Sequence, residues 1–273
     1  MTNGQQKERV DILLVQRGLV ETREQAKRSI MAGIVFSAET RLDKPGEKIK
    51  IDAPLIVKGA VLKYVSRGGL KLEKALELFD MTVDGKIVLD IGSSTGGFTD
   101  CALQNGAKHC YALDVGTNQL AWKIRSDDRV TVMEKTNFRH ATPELFKDGV
   151  PEVATIDVSF ISLKLILPPL KQILAHGGDV VALVKPQFEA GKDKVGKKGI
   201  VRDKSVHLEV LQKIAEASLR EGFLLQGISY SPVTGGEGNI EFLYHLKSVS
   251  EPAITYAQSE FESLIDEAHK AFQ

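Results

Sequence analysis

The sequence predicts an α/β protein in which a doubly wound, seven-stranded sheet follows a small α+β domain. From residue 86 onward, short apolar runs alternate with amphipathic segments, as in a parallel sheet covered on both faces. The first run, Val88–Ile91, leads into the glycine-rich turn Gly92-Ser93-Ser94-Thr95-Gly96-Gly97. Before residue 62 the pattern differs, because two short helical segments precede short strand-like pieces.

Each element of the sheet domain follows from local pattern. The predicted strands cover residues 86–90, 109–114, 130–134, 153–158, 179–185, 224–231 and 240–246. The predicted helices cover residues 97–105, 118–124, 162–174 and 203–221. A glycine-rich connection, Gly235-Gly236-Glu237-Gly238, precedes the last strand. This order is typical of the Rossmann-like sheet of methyltransferases.

The domain boundaries follow from changes in pattern. Residues 1–62 are predicted to form the first domain, 63–66 a linker and 67–273 the second domain. A helix opens the second domain at Arg67-Gly68-Gly69 and runs to about Phe79. After Pro252, an apolar stripe predicts a last helix: Ala257, Phe261, Leu264, Ile265, Ala268 and Phe272. We expect this helix to pack on the protein's own sheet, with a dimer contact as the alternative.

Composition narrows the class of protein. The net charge is zero, but residues 1–74 hold 15 Lys/Arg against 9 Asp/Glu, which favours an anionic partner such as nucleic acid. The two cysteines, Cys101 and Cys110, fit no metal or redox motif and are expected to be buried free thiols. The six scattered histidines show no metal-ligand spacing, so no metal is predicted. No signal peptide or membrane span is visible, so we expect a cytoplasmic protein, of open oligomeric state.

The first domain carries a basic helix face. Thr22 and Gln25 predict a capping box that opens the second helix, and Gly33 ends it. Arg23 and Lys27 lie four residues apart on one face of that helix, with Arg28 beside them. Such a face either contacts RNA phosphates or is simply solvated.

The pattern resembles the RNA-binding module first seen in ribosomal protein S-four. The resemblance rests on Arg9-Val10-Asp11, Thr22-Arg23-x-x-Ala26, Ile30-x-x-Gly33-x-Val35 and Lys44-Pro45-Gly46. It departs from the family at Ser37-Ala38-Glu39, where an Asn-Gly-type turn is usual, so the hairpin tip is expected to differ. The resemblance implies RNA contacts by Arg9, Arg23, Lys27, Arg28 and Lys44, to which we add Arg67 at the start of the second domain.

The glycine-rich turn predicts the cofactor. Its spacing differs from that of dinucleotide-binding proteins, and Asp90 at the end of the strand would repel a pyrophosphate. Both points favour S-adenosylmethionine, which has a cationic amino group and no phosphate; an ordinary turn without a ligand is the alternative. Asp114 ends the second strand, where an acid binds ribose hydroxyls. The predicted cofactor-binding residues are Asp90, Gly92, Ser93, Ser94, Thr95, Gly96, Gly97, Phe98, Asp114, Asn137 and Phe138, although Phe138 equally suits the core.

Polar residues mark a catalytic centre at the same edge of the sheet. Asp157 and Lys185 end the fourth and fifth strands, and Glu241 starts the last one. An acid in a buried strand needs a partner, and Lys185 is the expected partner of Glu241. The chain lacks an Asp-Pro-Pro-aromatic motif at Asp157 and a cysteine near the fourth or fifth strand, which disfavours transfer to a base nitrogen or a pyrimidine carbon.

With Lys71, these residues form a Lys-Asp-Lys-Glu set that resembles the tetrad of FtsJ-type RNA ribose 2′-O-methyltransferases. The segments Arg67-Gly68-Gly69-x-Lys71-Leu72 and Lys185-Pro186-Gln187-Phe188-Glu189 extend the resemblance, over nearly the whole chain, to TlyA-type (hemolysin A-like) ribosomal RNA methyltransferases. The resemblance implies methyl transfer to the 2′-hydroxyl of cytidine in ribosomal RNA or ribosomal subunits. It also implies that Lys71, Asp157, Lys185 and Glu241 are catalytic.

Three alternatives remain at this stage. A pseudouridine synthase would need a Gly-Arg-Leu-Asp-type motif, which the sequence lacks. A protein that only binds S-adenosylmethionine or RNA would not need the tetrad. A membrane-active hemolysin would need a more hydrophobic surface than the acidic tail helix offers. Finally, the basic loop 189–203 is expected either to close over RNA or to be solvated.

Overall fold

The computed structural model describes residues 6–20, 22–58, 63–251, 253 and 256–272. The chain separates into two compact units, Met1–Val65 and Ser66–Gln273. The expected boundary at residue 62 and the expected start of the tail at Pro252 lie outside the described residues, and the linker 63–66 stays a prediction.

The first unit is a small α+β domain. Its elements are β1 (Lys7–Arg9), α1 (Val10–Gln16), α2 (Arg23–Met31), β2 (Val35–Ser37), β3 (Thr40–Arg41), β4 (Lys48–Lys50) and β5 (Ile56–Val57). β1 pairs with β4, and β2 lies between β3 and β5. Buried side chains from both helices and from β2 form its core, among them Leu13, Leu14, Ala26, Ile30 and Val35.

Thr22 caps the start of α2, and Gly33 follows its end, as expected. The Thr22 hydroxyl accepts a hydrogen bond from the Gln25 amide at 3.2 Å, which satisfies one of the free amides at the start of α2. Gly33 follows the helix at a φ of 70°. The turn between β2 and β3 differs from an Asn-Gly turn as expected, because Ala38 has a positive φ of 52° but Glu39 does not, whereas an Asn-Gly turn has a positive φ at both central residues.

The second unit is built on the predicted doubly wound sheet. Its helices are α3 (Gly68–Leu78), α4 (Gly97–Gln104), α5 (Trp122–Arg125), α6 (Leu167–Ile173), α7 (Pro186–Glu189), α8 (Lys204–Arg220) and α9 (Gln258–Ala271). Its strands are β6 (Ile87–Ile91), β7 (His109–Leu113), β8 (Val130–Met133), β9 (Val153–Ile156), β10 (Asp179–Val184), β11 (Phe223–Tyr230) and β12 (Phe242–Ser248).

Strand order brings the predicted site together. In the described part of the chain the sheet has seven strands in the order β11-β12-β10-β9-β6-β7-β8. β12 is antiparallel to both neighbours, and the other adjacent pairs are parallel. The carboxyl ends of β6, β9 and β10 therefore meet at the edge where the antiparallel β12 begins. Crevices at this edge are where doubly wound sheets bind ligands.

Helices cover both faces of the sheet. Leu89 and Ile91 belong to the main core with buried side chains of α6, α8 and α9, whereas the alternate residue Val88 faces away from that core. α3 and α4 pack together, with buried Leu72 and Cys101. The expectation that the tail helix packs on its own sheet is confirmed, because Phe261, Leu264, Ile265 and Ala268 of its predicted stripe lie in the main core, although Ala257 is exposed.

Two further predictions can be compared with the structure. A helix over 118–124 is wrong, because Asn118 takes a φ of 57° and donates its amide to Glu134 at 2.8 Å, so α5 begins only at Trp122. Cys101 and Cys110 are buried thiols that are not joined in a disulfide, as expected.

Candidate active site

The glycine-rich turn follows β6 and holds a shape that only glycine permits at two positions. Gly92 has a φ of 86°, and a Cβ there would lie 2.6 Å from the Asp157 carbonyl oxygen. Gly96 has a φ of 96°, and a Cβ there would lie 2.8 Å from Leu120 Cδ1. The backbone of the turn therefore packs directly against the residue that ends the neighbouring strand.

Asp90 stabilises the structure around the turn through hydrogen bonds to its buried carboxylate. It is 1% exposed and accepts hydrogen bonds from the Thr99 amide at 3.0 Å, the Thr99 hydroxyl at 2.6 Å and the Thr155 hydroxyl at 3.0 Å. Burial raises the pKa of Asp90 to about 6, although the hydrogen bonds from Thr99 and Thr155 lower it in part. Asp90 borders the cavity described below, and its carboxylate is committed to fixing the start of α4.

Asp114 shapes the other side of the turn. Its carboxylate accepts the Ser94 amide at 2.8 Å and the Gly116 amide at 2.7 Å. Asn137 caps a short 3-10 turn by accepting the Arg139 amide at 3.1 Å. Phe138 is 3% exposed and belongs to the main core, the alternative that the sequence left open. The adenine contact of Asn137 and Phe138 stays a prediction.

The four residues of the predicted tetrad lie together. Lys71 Nζ lies 2.7 Å from Glu241 Oε2 and 3.3 Å from Asp157 Oδ2, and Lys185 Nζ lies 2.5 Å from Asp157 Oδ1. α3 supplies Lys71, and the ends of β9, β10 and β12 supply the other three. The cluster is largely shielded, since the side-chain exposures are 9% for each lysine, 20% for Asp157 and 3% for Glu241.

The expected pairing of Glu241 with Lys185 is wrong. Glu241 pairs with Lys71, and Asp157 lies between the two lysines. This order alternates negative and positive groups along the cluster, so that neither the two carboxylates nor the two ammonium groups are direct neighbours.

Mutual attraction keeps the centre of the cluster charged. Burial alone would raise the pKa of Asp157, but the charges of Lys71 and Lys185 lower it below its ordinary value. Burial alone would lower the pKa of Lys71, but the charges of Asp157 and Glu241 raise it. Perturbed groups of this kind, held in a cleft, are typical of catalytic sites.

The tetrad lies in a cavity of about 640 Å³, which the glycine-rich turn also borders. Ser66, Arg67 and Phe98 contribute to one wall, and the loops around Lys198 and Gly235 contribute to another. A Cβ at Gly235 would lie 2.1 Å from Glu241 Oε1, so glycine is needed for this wall to approach the carboxylate. The volume suits a nucleoside-sized ligand, and the lining carries both acidic and basic side chains.

An exposed aromatic residue at the cavity was missed by the sequence analysis. Phe160 lines the cavity, is 90% exposed and has a φ of 63°, a strained conformation for a bulky residue. Its ring centroid lies 4.9 Å from that of Phe188. The available signal was an aromatic residue directly after Asp157-Val158-Ser159, at the carboxyl end of a strand.

Gln187 and Asn239 also border the cavity and were not singled out. The Gln187 amide donates to Glu241 Oε1 at 3.3 Å. Asn239, 3% exposed, accepts the Val201 amide at 3.0 Å and donates to the Gly199 carbonyl at 2.9 Å, so it ties the basic loop 189–203 to the wall of the cavity. The loop reaches the cavity through Lys198, and its closure over RNA stays a prediction.

In the first unit, a buried acid organises two of the predicted RNA contacts. The side chain of Asp11 is fully buried and accepts from Arg9 at 2.9 Å and from Arg23 at 2.9 Å. The hydrogen bond from Arg9, with a further contribution from Arg23, lowers the pKa of Asp11 to about 2 despite its burial. This role was not predicted, since no local pattern reveals the partner of a single acid.

The other predicted RNA contacts are placed as follows. Lys27 pairs with Glu24 at 2.7 Å on α2 and keeps 40% of its side chain exposed, while Arg23 keeps 54%. The Lys44 carbonyl accepts a hydrogen bond from the Glu47 amide, which closes the turn that begins at Lys44. Arg67 lines the cavity of the second unit, beside the tetrad. The RNA contacts themselves stay predictions.

Comparison with known proteins identifies the family. The model of the FtsJ-like methyltransferase family matches residues 64–248, and that of the S4 domain matches residues 8–53. The chain belongs to the FtsJ-like methyltransferase family. This FtsJ-like methyltransferase is therefore an enzyme that uses S-adenosylmethionine, with an S4 domain at its N-terminal side.

Two curated relatives and one solved structure match along nearly their whole length. It is 64% identical to the "Putative rRNA methyltransferase YqxC" of Bacillus subtilis, over 98% of this chain and 96% of that one. It is 40% identical to the "16S/23S rRNA (cytidine-2'-O)-methyltransferase TlyA" of Mycobacterium tuberculosis, over 96% of both chains. A solved structure, a "putative hemolysin" from Streptococcus thermophilus, has 55% identity and a TM-score of 0.78 over 98% of both chains.

The described residues include neither a membrane-spanning helix nor a cluster of metal-binding side chains. Among the described residues, no helix is long and apolar enough to cross a membrane. Nor does this part of the chain hold a group of three or more His, Cys, Asp or Glu side chains that could hold a metal ion.

Proposed function

We propose that the protein transfers a methyl group from S-adenosylmethionine to the ribose 2′-hydroxyl of cytidine in ribosomal RNA. The observation that carries the proposal is the Lys71, Asp157, Lys185 and Glu241 cluster, which lies in one cavity with the glycine-rich turn. The substrate class is supported by the relative from Mycobacterium tuberculosis, whose name states this reaction. Since ribosomal subunits are the proposed substrate, we place the activity in the cytoplasm.

The glycine-rich turn would hold the cofactor, with Asp114 at its ribose and Phe98 along the wall of the cavity. S-adenosylmethionine supplies an electrophilic methyl group when bound. The glycines at positions 92 and 97 let the turn pack closely against the backbone of Asp157 and against Ser66, so that the turn forms part of the cavity border.

The lysines act on the hydroxyl that receives the methyl group. A ribose hydroxyl is a poor nucleophile at neutral pH, so charge on its oxygen must be stabilised as it reacts. Lys185 Nζ, held by Asp157 Oδ1 and by Ser159 Oγ at 3.3 Å, is placed to bind that oxygen. Asp157 and Glu241 are the acceptors for the departing proton, and Lys71 keeps these two carboxylates from repelling each other.

Phe160 offers a surface for the base of the target nucleotide. Proteins that recognise particular nucleotides of an RNA stack the unpaired bases on aromatic side chains. The exposed ring of Phe160, in contact with Phe188 at the cavity, suits this role. Arg67, at the same cavity, suits a phosphate next to the target.

The test is transfer of a labelled methyl group to ribosomal subunits from a strain that lacks the gene, with identification of the methylated nucleoside. We expect 2′-O-methylcytidine. Label on a base would refute the role of the tetrad. Absence of label on both subunits, with S-adenosylmethionine still bound, would favour a binding protein instead.

A further inference from the structure

Glu189, the last residue of α7, is a buried acid outside the reacting cluster. It is 5% exposed, and its carboxylate accepts the Ser162 hydroxyl at 2.6 Å and the Leu163 amide at 2.8 Å. A carboxylate taken out of water is costly unless its hydrogen bonds are satisfied, so both contacts matter to the local structure. Both of them are made to the loop that follows β9.

That loop carries Phe160 in a strained conformation. A bulky residue at a φ of 63° persists only where the surrounding structure fixes the backbone. The ring is 90% exposed, so burial of the side chain does not hold it in place. The bonds of Glu189 to Ser162 and Leu163 fix the backbone just after Phe160.

The same short segment also fixes the backbone before Phe160. Lys185 Nζ contacts Asp157 Oδ1 and donates to Ser159 Oγ, and the Phe188 ring packs on the Phe160 ring. The segment Lys185–Glu189 therefore holds the loop 157–163 on both sides of Phe160. This segment therefore both supplies Lys185 to the reacting cluster and holds the Phe160 ring in place.

We infer that Glu189 is a positioning residue, which holds the loop 157–163 in the shape that presents the Phe160 ring to the base of the target nucleotide. This inference rests on the proposed function for the identity of the base. It predicts that loss of Glu189 weakens RNA recognition through Phe160 and leaves cofactor binding intact. The hydrogen bonds of the loop are independent of RNA, so the positioning itself can be measured without a substrate.

The first test follows the Phe160 ring directly in the full-length protein. With para-fluorophenylalanine placed at position 160, fluorine NMR should give one resonance that is shifted by the neighbouring Phe188 ring. In Glu189→Ala this shift should collapse and the line should change width, and Glu189→Gln, which keeps one acceptor oxygen, should lie between. Glu216→Gln, an exposed acid on α8, is the matched control and should resemble the wild type. An unchanged resonance in both Glu189 variants would overturn the inference.

The second test measures methyl transfer. The KM for the RNA substrate should rise about tenfold in Glu189→Ala and less in Glu189→Gln, while kcat changes little and S-adenosylmethionine affinity is kept. In a Phe160→Ala background, Glu189→Ala should have no further effect on KM. Additive effects, or an equal loss of kcat, would overturn the inference. If the wild type transfers no methyl group to ribosomal RNA, the proposed function fails, and the fluorine resonance still decides the positioning role.

Discussion

At the scale of single residues, Asp157 holds the reacting cluster together. Its two oxygens contact different lysines, and a third contact links one of these lysines to Glu241. A buried group of this kind gains from mutual attraction only while every member has its partner. Removal of one lysine therefore changes both the charge of the site and the stability of the fold.

Lys71→Met should destabilise the protein, because it leaves Asp157 and Glu241 as close carboxylates with one ammonium group removed. We expect a loss of about 3 kcal/mol in the free energy of unfolding. The double variant Lys71→Met/Glu241→Gln should recover part of this loss, since one of the two negative charges is gone. Urea unfolding measures the free energy of unfolding of the single and the double variant. A double variant that is less stable than the single one would contradict the electrostatic account.

The members of the site were predictable at this scale, but their partners were not. Lys185 and Asp157 stand out locally because each follows an apolar strand. The pairing of Glu241 depends on where Lys71 of α3 packs, a contact that spans 170 residues of sequence. Asp11, Glu189 and Phe160 were missed for the same reason, since their roles rest on contacts with other segments.

At the scale of elements, the glycine-rich turn is defined by its approach to the next strand. Gly92→Ala should reduce methyl transfer, because the added Cβ would push the backbone of Asp157 away from Lys71 and Lys185. Gly85→Ala is the matched control: its φ of 68° is similar, but it has no atom within 4 Å of the added Cβ. Both variants should lose about 1 kcal/mol of stability from backbone strain. Gly92→Ala should lose more because of its clash with the Asp157 backbone, and only Gly92→Ala should also lose activity. Equal activity of the two variants would contradict this reading of the turn.

α8 carries a buried histidine that makes stability depend on pH. His207 is fully buried, contacts the Val201 carbonyl at 3.2 Å and lies 3.1 Å from His269 of α9. Burial, with a contribution from His269, lowers the pKa of His207 to about 4 from 6.5. Since the folded pKa is the lower one, the neutral ring stabilises the fold above pH 6.5, and this contribution is lost as pH falls towards 4.

The free energy of unfolding should therefore fall by as much as about 3 kcal/mol between these pH values. His207→Gln should remove most of this dependence, whereas His140→Gln, at an exposed position, should keep it. Urea unfolding at a series of pH values is the measurement. If the free energy of unfolding of His207→Gln still fell with pH as in the wild type, a group other than His207 would be responsible.

Prediction of elements succeeded where apolar periodicity was long and failed where it was short. All seven strands of the sheet lie where the apolar runs predicted them, within a few residues at their ends. The segment 118–124 has helical spacing, yet Asn118 takes a left-handed conformation and its amide is held by Glu134. A single tertiary hydrogen bond outweighed weak local propensity there.

At the scale of the whole molecule, the chain joins an S4 domain to a methyltransferase domain. The two have separate tasks in the proposed reaction. The S4 domain is expected to contribute affinity through phosphate contacts, and the cavity of the other domain is expected to select the nucleotide. Substitutions on the basic face of the S4 domain should therefore change RNA affinity without changing the chemical step, whereas substitutions at the cavity should change recognition of the target nucleotide or the chemical step.

Arg23→Ala/Lys27→Ala should weaken RNA binding and reduce its dependence on salt. Each lost phosphate contact should lower the slope of log K against log salt by about 1. Arg220→Ala, which removes an exposed cation from α8 of the methyltransferase domain, is the control. Binding measured at several salt concentrations is the test. A slope that stays at its wild-type value would exclude both residues as phosphate contacts.

In the proposed reaction, Lys185 acts on the hydroxyl and not on the cofactor. Single-turnover methyl transfer by Lys185→Ala, measured beside S-adenosylmethionine affinity, tests it most directly. We expect the rate to fall by at least about a thousandfold, while cofactor affinity stays within about threefold of the wild type. Lys204→Ala, an exposed lysine of α8, should leave both unchanged. A Lys185→Ala variant that still transfers the methyl group at the wild-type rate would contradict the account.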